Sequence, residues 1–189
     1  TPNNQIRKEN KNIYLDFNAI AKGYGIDLIG MFLESKGIHD YIIELGGEIR
    51  VKGKNTIKDK NWLVGIEGID SQIENRSYNH TLNLKNESLA SSGNYRKFRV
   101  DSLSGNKYVH TINPITGQAE QSDITSASVI AKTCAEADAY ATTLMAMGYK
   151  KSLALLGQLE NIEAYFTYLD RNNQPQEFMT EGFRSRIVE

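Results

Sequence analysis

In the run AEADAYATTL at 135 to 144, Asp138 and Thr142 stand four residues apart, the spacing that places two side chains on one face of a helix. A carboxylate and a hydroxyl are hard oxygen donors. With one backbone carbonyl they would make a sparse protein contribution to a magnesium site, because this ion keeps waters and substrate phosphates in the rest of its shell. The same pair also fits a plain helix in which Thr142 bonds back to a carbonyl and Asp138 faces water. Glu136 falls on a different face and is set aside.

A second group of residues lies in LDFNAIAKGYGID at 15 to 27, where an extended segment ends at Asp16 and turns through Asn18 and Ala19 into a helix carrying Lys22. Such a turn aims free N–H groups and the positive end of a helix dipole at whatever lies in front, which suits a phosphate. Lys22 adds a point charge one turn in. Taken alone, the segment reads rather as a surface helix with Asp16 as its N-terminal cap and Lys22 solvated, but Gly23 and Gly25 need a reason. Each costs about 1 kcal/mol relative to alanine inside a helix, so a ligand or another backbone is expected to come close.

LGGEIRVKG at 45 to 53 joins two strands at Gly46 and Gly47, where a bulge or a ligand approach would use positive φ, and Glu48 is the one charge there that could face a site. His110, in YVHTINPITG, ends a strand before a turn set by Pro114 and Gly117, a rigid place for a side chain that takes a proton near neutral pH. Taken singly, such a histidine is more often structural than catalytic. His39 and His80 sit in polar contexts and read as surface residues.

The elements that must position these residues follow from periodicity. Residues 1–12 are polar without period and read as a tail, with the structured domain running from 13 to 189. NIYLDF reads as a strand, followed by a helix with Ile20, Tyr24, Leu28 and Phe32 on one stripe and Gly37 as its cap. DYIIELGG, EIRVKG and NWLVGIEG read as strands, with 54–60 as a hairpin loop between the last two. Asp70 to Tyr78 reads as loop, and HTLNLK, SLASSG, KFRVD, KYVHTI and SASVIAK as further short strands. TCAEADAYATTLMAMG is a helix with Cys134, Ala137, Ala141, Leu144 and Met145 on its stripe. A short helix over 151–159 and a strand near 164–169 complete an α+β pattern of mostly antiparallel sheet with two or three helices.

Composition narrows the function classes. The chain has 189 residues, 40% of them hydrophobic, and a formal net charge of −1, so no field gathers nucleic acid or an anionic membrane. Its single cysteine excludes an intrachain disulfide and a cysteine zinc cage, and Cys134 reads as a small buried hydrophobe. No apolar run approaches the length of a bilayer crossing, and the start lacks the pattern of a signal peptide.

In their order and spacing, LDFNAIAKGYGID, LGGEIRVKG, SSGNYRKF with YVHTINPITG, and AEADAYATTL resemble the ApbE family of flavin transferases, which move FMN from FAD to a threonine or serine of another protein. The resemblance implies a T-fold-like α+β architecture with FAD as substrate and Mg2+ as cofactor. It implies that the carbonyl of Ala19 and the side chains of Asp138 and Thr142 hold the metal, that Asp16 and Lys22 contact the flavin nucleotide, and that His110 activates the acceptor hydroxyl. It further implies an acceptor protein such as a subunit of a redox ion pump, and a lipid-anchored position on the periplasmic face of the bacterial inner membrane. Family members carry additional chain before the first of these motifs, so the N-terminal part of the family domain is expected to be missing here.

Two positions depart from the pattern. Asn113 stands where many relatives have aspartate, and Asn18 where glycine is often seen; asparagine tolerates the left-handed conformation that glycine would supply. Beside transfer, the residues leave open an FAD pyrophosphatase giving FMN and AMP, and a noncatalytic flavin-binding or scaffold module. Absence of the histidine or of the Asp/Thr pair would have marked the last, and both are present.

Overall fold

The computed structural model of the chain describes residues 5–67, 78–93, 98–100, 107–109, 117 and 122–188. Along them run α1 (Ala21–Ser35), β1 (Tyr41–Leu45), β2 (Glu48–Lys52), β3 (Trp62–Glu67), β4 (Tyr78–Leu84), β5 (Ser88–Gly93), β6 (Phe98–Val100) and β7 (Lys107–Val109). Then come β8 (Ile124–Ala131), α2 (Cys134–Met147), α3 (Tyr149–Leu156), β9 (Glu163–Leu169), β10 (Pro175–Met179), α4 (Glu181–Arg184) and β11 (Ile187–Val188). Six strands make one antiparallel sheet in the order β1-β2-β5-β8-β9-β10, and three make a second in the order β11-β4-β3. β6 and β7 pair with each other. The expected α+β class with mostly antiparallel sheet is the one found, with a short fourth helix added.

Alternation along the inner strands explains the layering. Ala127, Val129 and Ala131 of β8, with Ala164 and Phe166 of β9, pack with Ala137, Ala141, Leu144 and Met145 of α2. Their neighbours Ile130 and Tyr165 point the other way and pack with Val64, Ile66, Leu82 and Leu84 of the second sheet and with Phe183. Successive side chains of a strand point to opposite faces, so a strand covered on both sides must be apolar at consecutive positions. Alanines on both α2 and the strands beneath it let the helix lie close to the sheet.

Both long helices end as local chemistry requires. Thr133 and Glu136 form a capping box at the start of α2: the Thr133 hydroxyl accepts from the Glu136 N–H and the Glu136 carboxylate accepts from the Thr133 N–H. α1 closes on Gly37 at φ 77°, with Gly37 N–H donating to the Glu34 carbonyl and Ile38 N–H to the Leu33 carbonyl. The buried α2 stripe is the expected one, Cys134, Ala137, Ala141, Leu144 and Met145, with Asp138 added. Cys134 is fully buried, and burial pushes its thiol up to about 12.

Several expectations are corrected. NIYLDF is not a strand: residues 13–17 are exposed, and no described strand lies beside them to complete a ladder. The stripe of Ile20, Tyr24, Leu28 and Phe32 faces outward, while α1 buries Gly23, Ile26, Asp27 and Gly30. Residues 54–60 do not close a hairpin, because both edges of β2 are taken by β1 and β5; the segment crosses instead to the second sheet through its own Asn55–Lys60 bridge. His80 is half-buried, edge-on to Tyr165 at 5.0 Å, and its Nε2 has no hydrogen-bond partner among the described residues. The C-terminal β10, α4 and β11 went unread. Of the stretch from Asp70 to Tyr78, expected as loop, residues 70–77 lie outside the described residues and Tyr78 instead opens β4.

Candidate functional site

The site is built where α1 crosses the first turns of α2. Gly23 makes the crossing possible, since a Cβ there would collide with the Cys134 carbonyl oxygen and lie 2.6 Å from its carbon and 2.8 Å from the Ala135 nitrogen. With no side chain in the way, the Gly23 N–H donates to Asp138 Oδ2 at 3.0 Å. In a continuing helix that N–H would go to the Ala19 carbonyl, four residues back, which is thereby released from that bond. Gly25, by contrast, has open space around it, and its expected close neighbour is absent among the described residues.

Lys22, on the preceding position, donates from Nζ to Glu48 Oε2 at 2.6 Å. Glu48 is 2% exposed and Asp138 3%. Burial holds the Glu48 carboxyl above its usual range, opposed by Lys22, with the nearby Asp138 charge raising it further. Burial likewise raises Asp138, opposed by the Gly23 N–H and by Lys22. Two buried carboxylates therefore share one lysine that is itself half-exposed. Such a surplus of negative charge suits a bound cation.

Thr142 follows Asp138 by one turn, and its Oγ1 lies 3.4 Å from Ser92 Oγ on β5. It does not follow the back-bonding alternative as Thr143 does, whose Oγ1 donates to the Ala139 carbonyl at 2.8 Å. The Thr142 hydroxyl, the Asp138 carboxylate and the Ala19 carbonyl are all oxygen donors, the chemical type that Mg2+ takes. No group of three His, Cys, Asp or Glu with metal-holding geometry occurs among the described residues.

Asp16 is exposed and spends its carboxylate on the turn, accepting from Asn18 N–H at 2.7 Å and from Asn18 Nδ2 at 3.1 Å. This fixes the entry into α1, with Ala19 half-buried at the bend. Gly46 and Gly47, at φ 62° and 103°, make the two-residue turn of the β1–β2 hairpin that delivers Glu48 to the start of β2. His110 lies outside the described residues.

Sequence reasoning left Glu48 without a role and missed Asp27 and Ser92. Asp27, 8% exposed on the inner face of α1, accepts from the Cys134 N–H at 3.0 Å and the Ala135 N–H at 2.9 Å, and pairs with Arg50. Its spacing of four from Gly23 was the available signal, obscured because the apolar stripe pointed to the opposite face.

A sequence model described as the ApbE family matches residues 1–166. The FAD:protein FMN transferase of Vibrio cholerae is 36% identical over 152 residues, covering 80% of this chain and 44% of that protein. The protein of the same name from Escherichia coli K12 is 30% identical over 183 residues, covering 97% of this chain and 50% of its own length. Among solved structures, the flavin transferase ApbE from Vibrio cholerae superposes with a TM-score of 0.77 at 31% identity, over 95% of this chain and 54% of that one. The ApbE protein of Thermotoga maritima has a TM-score of 0.77 at 21% identity, a likeness of fold. The chain spans about half the length of these relatives.

Proposed function

The chain belongs to the ApbE family, and from that premise we propose that it carries the metal and nucleotide half-site of an FAD:protein FMN transferase. The observation that carries the reading is the convergence of Lys22, Gly23, Glu48 and Asp138, drawn from α1, β2 and α2, on one buried and negatively charged point. FAD is the substrate, AMP the leaving product, and the acceptor a threonine or serine hydroxyl of another protein.

In this mechanism the acceptor oxygen forms a new bond to the phosphorus of the FMN half, and the pyrophosphate bond to AMP breaks. His110 takes the hydroxyl proton. Lys22 exchanges its bond to Glu48 for the phosphate oxygens, where charge accumulates as the bond breaks. Asp138, Thr142 and the Ala19 carbonyl would hold Mg2+, which when bound supplies Lewis-acid stabilisation of that charge. Asp16 shapes the turn that faces the nucleotide. By the same family resemblance, we assign an acceptor such as a redox ion-pump subunit and a lipid-anchored position on the periplasmic side; no helix among the described residues is long and apolar enough to cross a membrane.

Incubation with FAD, Mg2+ and a threonine-bearing acceptor peptide tests the reading by mass spectrometry of the peptide and by AMP release. The expected result is a peptide gaining one FMN per AMP. Asp138→Ala abolishes this transfer, and His110→Ala slows it by about 10²–10⁴-fold, the range of general-base catalysis, with FAD binding retained. AMP release that is the same without peptide identifies a pyrophosphatase instead, and unchanged transfer in both variants removes these residues from the mechanism.

A further inference from the structure

The two helices that build the site are tied at two successive turns. Gly23 of α1 meets Asp138 of α2, and Asp27, one turn further along α1, meets Cys134 and Ala135, one turn nearer the start of α2. The antiparallel pattern fixes both the distance and the sliding of one helix against the other. The second tie is not required to begin α2, because Thr133 and Glu136 already form a complete capping box there. A buried carboxylate taking two more first-turn N–H groups from across an interface serves placement rather than initiation.

The Asp27 carboxylate is in turn held from the sheet side. Arg50 of β2 pairs with Asp27, while its Nε donates to Tyr41 Oη at 3.2 Å. Tyr41 donates to Glu34 Oε1 at 2.7 Å, and Lys52 binds Glu34 Oε2 at 2.6 Å. Gly30 leaves room for this chain of contacts, since a Cβ there would lie 2.7 Å from the tyrosine oxygen and 2.8 Å from Arg50 Nε. The network runs from the half-buried Lys52 to the first turn of α2 and ends one helical turn before Asp138.

We propose that Asp27, braced by Arg50, is a positioning residue that sets where Asp138 and Thr142 stand relative to Ala19 and Lys22, and so sets the affinity for the divalent cation. The inference rests on the magnesium reading of the site. Asp27→Asn keeps the shape but replaces one accepting oxygen with an NH2 that opposes a helix N–H, and removes the charge that Arg50 faces. Neither change touches a metal ligand.

The test is isothermal titration of Mg2+ into the folded chain with FAD present, for wild type, Asp27→Asn, Lys52→Met and Asp138→Ala. Lys52→Met loosens the outer end of the same network and serves as the stability control. The expected result is a Kd for Mg2+ raised about 10- to 100-fold in Asp27→Asn, the usual effect of losing a group that orients a metal ligand, and unchanged in Lys52→Met at a comparable loss of Tm. Saturating Mg2+ restores the Asp27→Asn heat signal but not that of Asp138→Ala. Should Asp27→Asn fail to fold by circular dichroism, Arg50→Lys is read in its place, with a smaller rise in Kd expected. Equal Kd values in wild type and Asp27→Asn, or in wild type and Arg50→Lys where that variant is read, overturn the inference; loss of binding in Asp138→Ala then leaves the metal reading intact. A wild-type chain without Mg2+ binding overturns both.

Discussion

Asp138 shows how much of the site rests on one buried charge. Its carboxyl is raised by burial above the ordinary aspartate value of 3.8, so in the pH range between that value and the folded one the folded state keeps a proton that the unfolded chain releases. Stability contributed by this group is therefore greatest at low pH and falls as pH rises from 3.8 through the folded value. Asp138→Asn keeps an oxygen for the Gly23 N–H and carries no charge to desolvate. In metal-free buffer the variant should melt higher than wild type, with the gap widening as pH increases across that window, while Mg2+ raises the Tm of wild type only. Thermal scans from pH 4 to 8 check this, and a gap that closes with rising pH sinks it. The spacing of Asp138 and Thr142 and the lysine after the turn were legible because both follow helical period. Glu48 was seen but could not be placed, since its partnership with Lys22 spans 26 residues and exists only once β2 lies under α1.

At the level of the element, α1 was read inside out. Its apolar residues Tyr24, Leu28 and Phe32 have the period of a buried face, yet they are 55%, 45% and 60% exposed. The face that packs is chosen by steric access: Gly23 and Gly30 let backbone and network side chains approach where larger residues would not fit, and Asp27 finds its donors there. Glycine placement was the better guide, and it separates two substitutions that helix propensity treats alike. Gly25→Ala meets open space and should stabilise the protein by up to about 1 kcal/mol. Gly23→Ala gains the same propensity but drives a methyl into the Cys134 carbonyl, and should destabilise by about 1–3 kcal/mol net, as overpacked sites do. Chemical denaturation of the two variants decides it; equal effects would mean that the α1–α2 crossing is slack.

Across the whole molecule, the α+β class and most strands were legible because short alternating runs bounded by Gly, Asn and Ser have few other readings. The partition of strands between two sheets was not, since β2 and β3 are neighbours in sequence and only tertiary pairing sends them to different layers. The layering has a mechanical consequence. β8 and β9 supply side chains to both cores, with Val129 and Phe166 toward α2 and Ile130 and Tyr165 toward the second sheet, so neither core can be lost while the other stays packed. Trp62, the only tryptophan, sits on β3 in the second sheet and donates from Nε1 to the Lys52 carbonyl of β2 at 2.9 Å, which makes it a reporter for the layer that lacks the site. Phe183, fully buried between the layers, is the test position. Phe183→Ala should cost about 3–5 kcal/mol, as large aromatic truncations do. Its Trp62 fluorescence and its far-ultraviolet circular dichroism should still share one midpoint in urea, because the shared strands make unfolding a single transition. A fluorescence midpoint that falls well before the circular dichroism midpoint would show the second sheet detaching by itself, and would leave the helix-covered core, with α1 and α2 still joined, as the unit that holds the site.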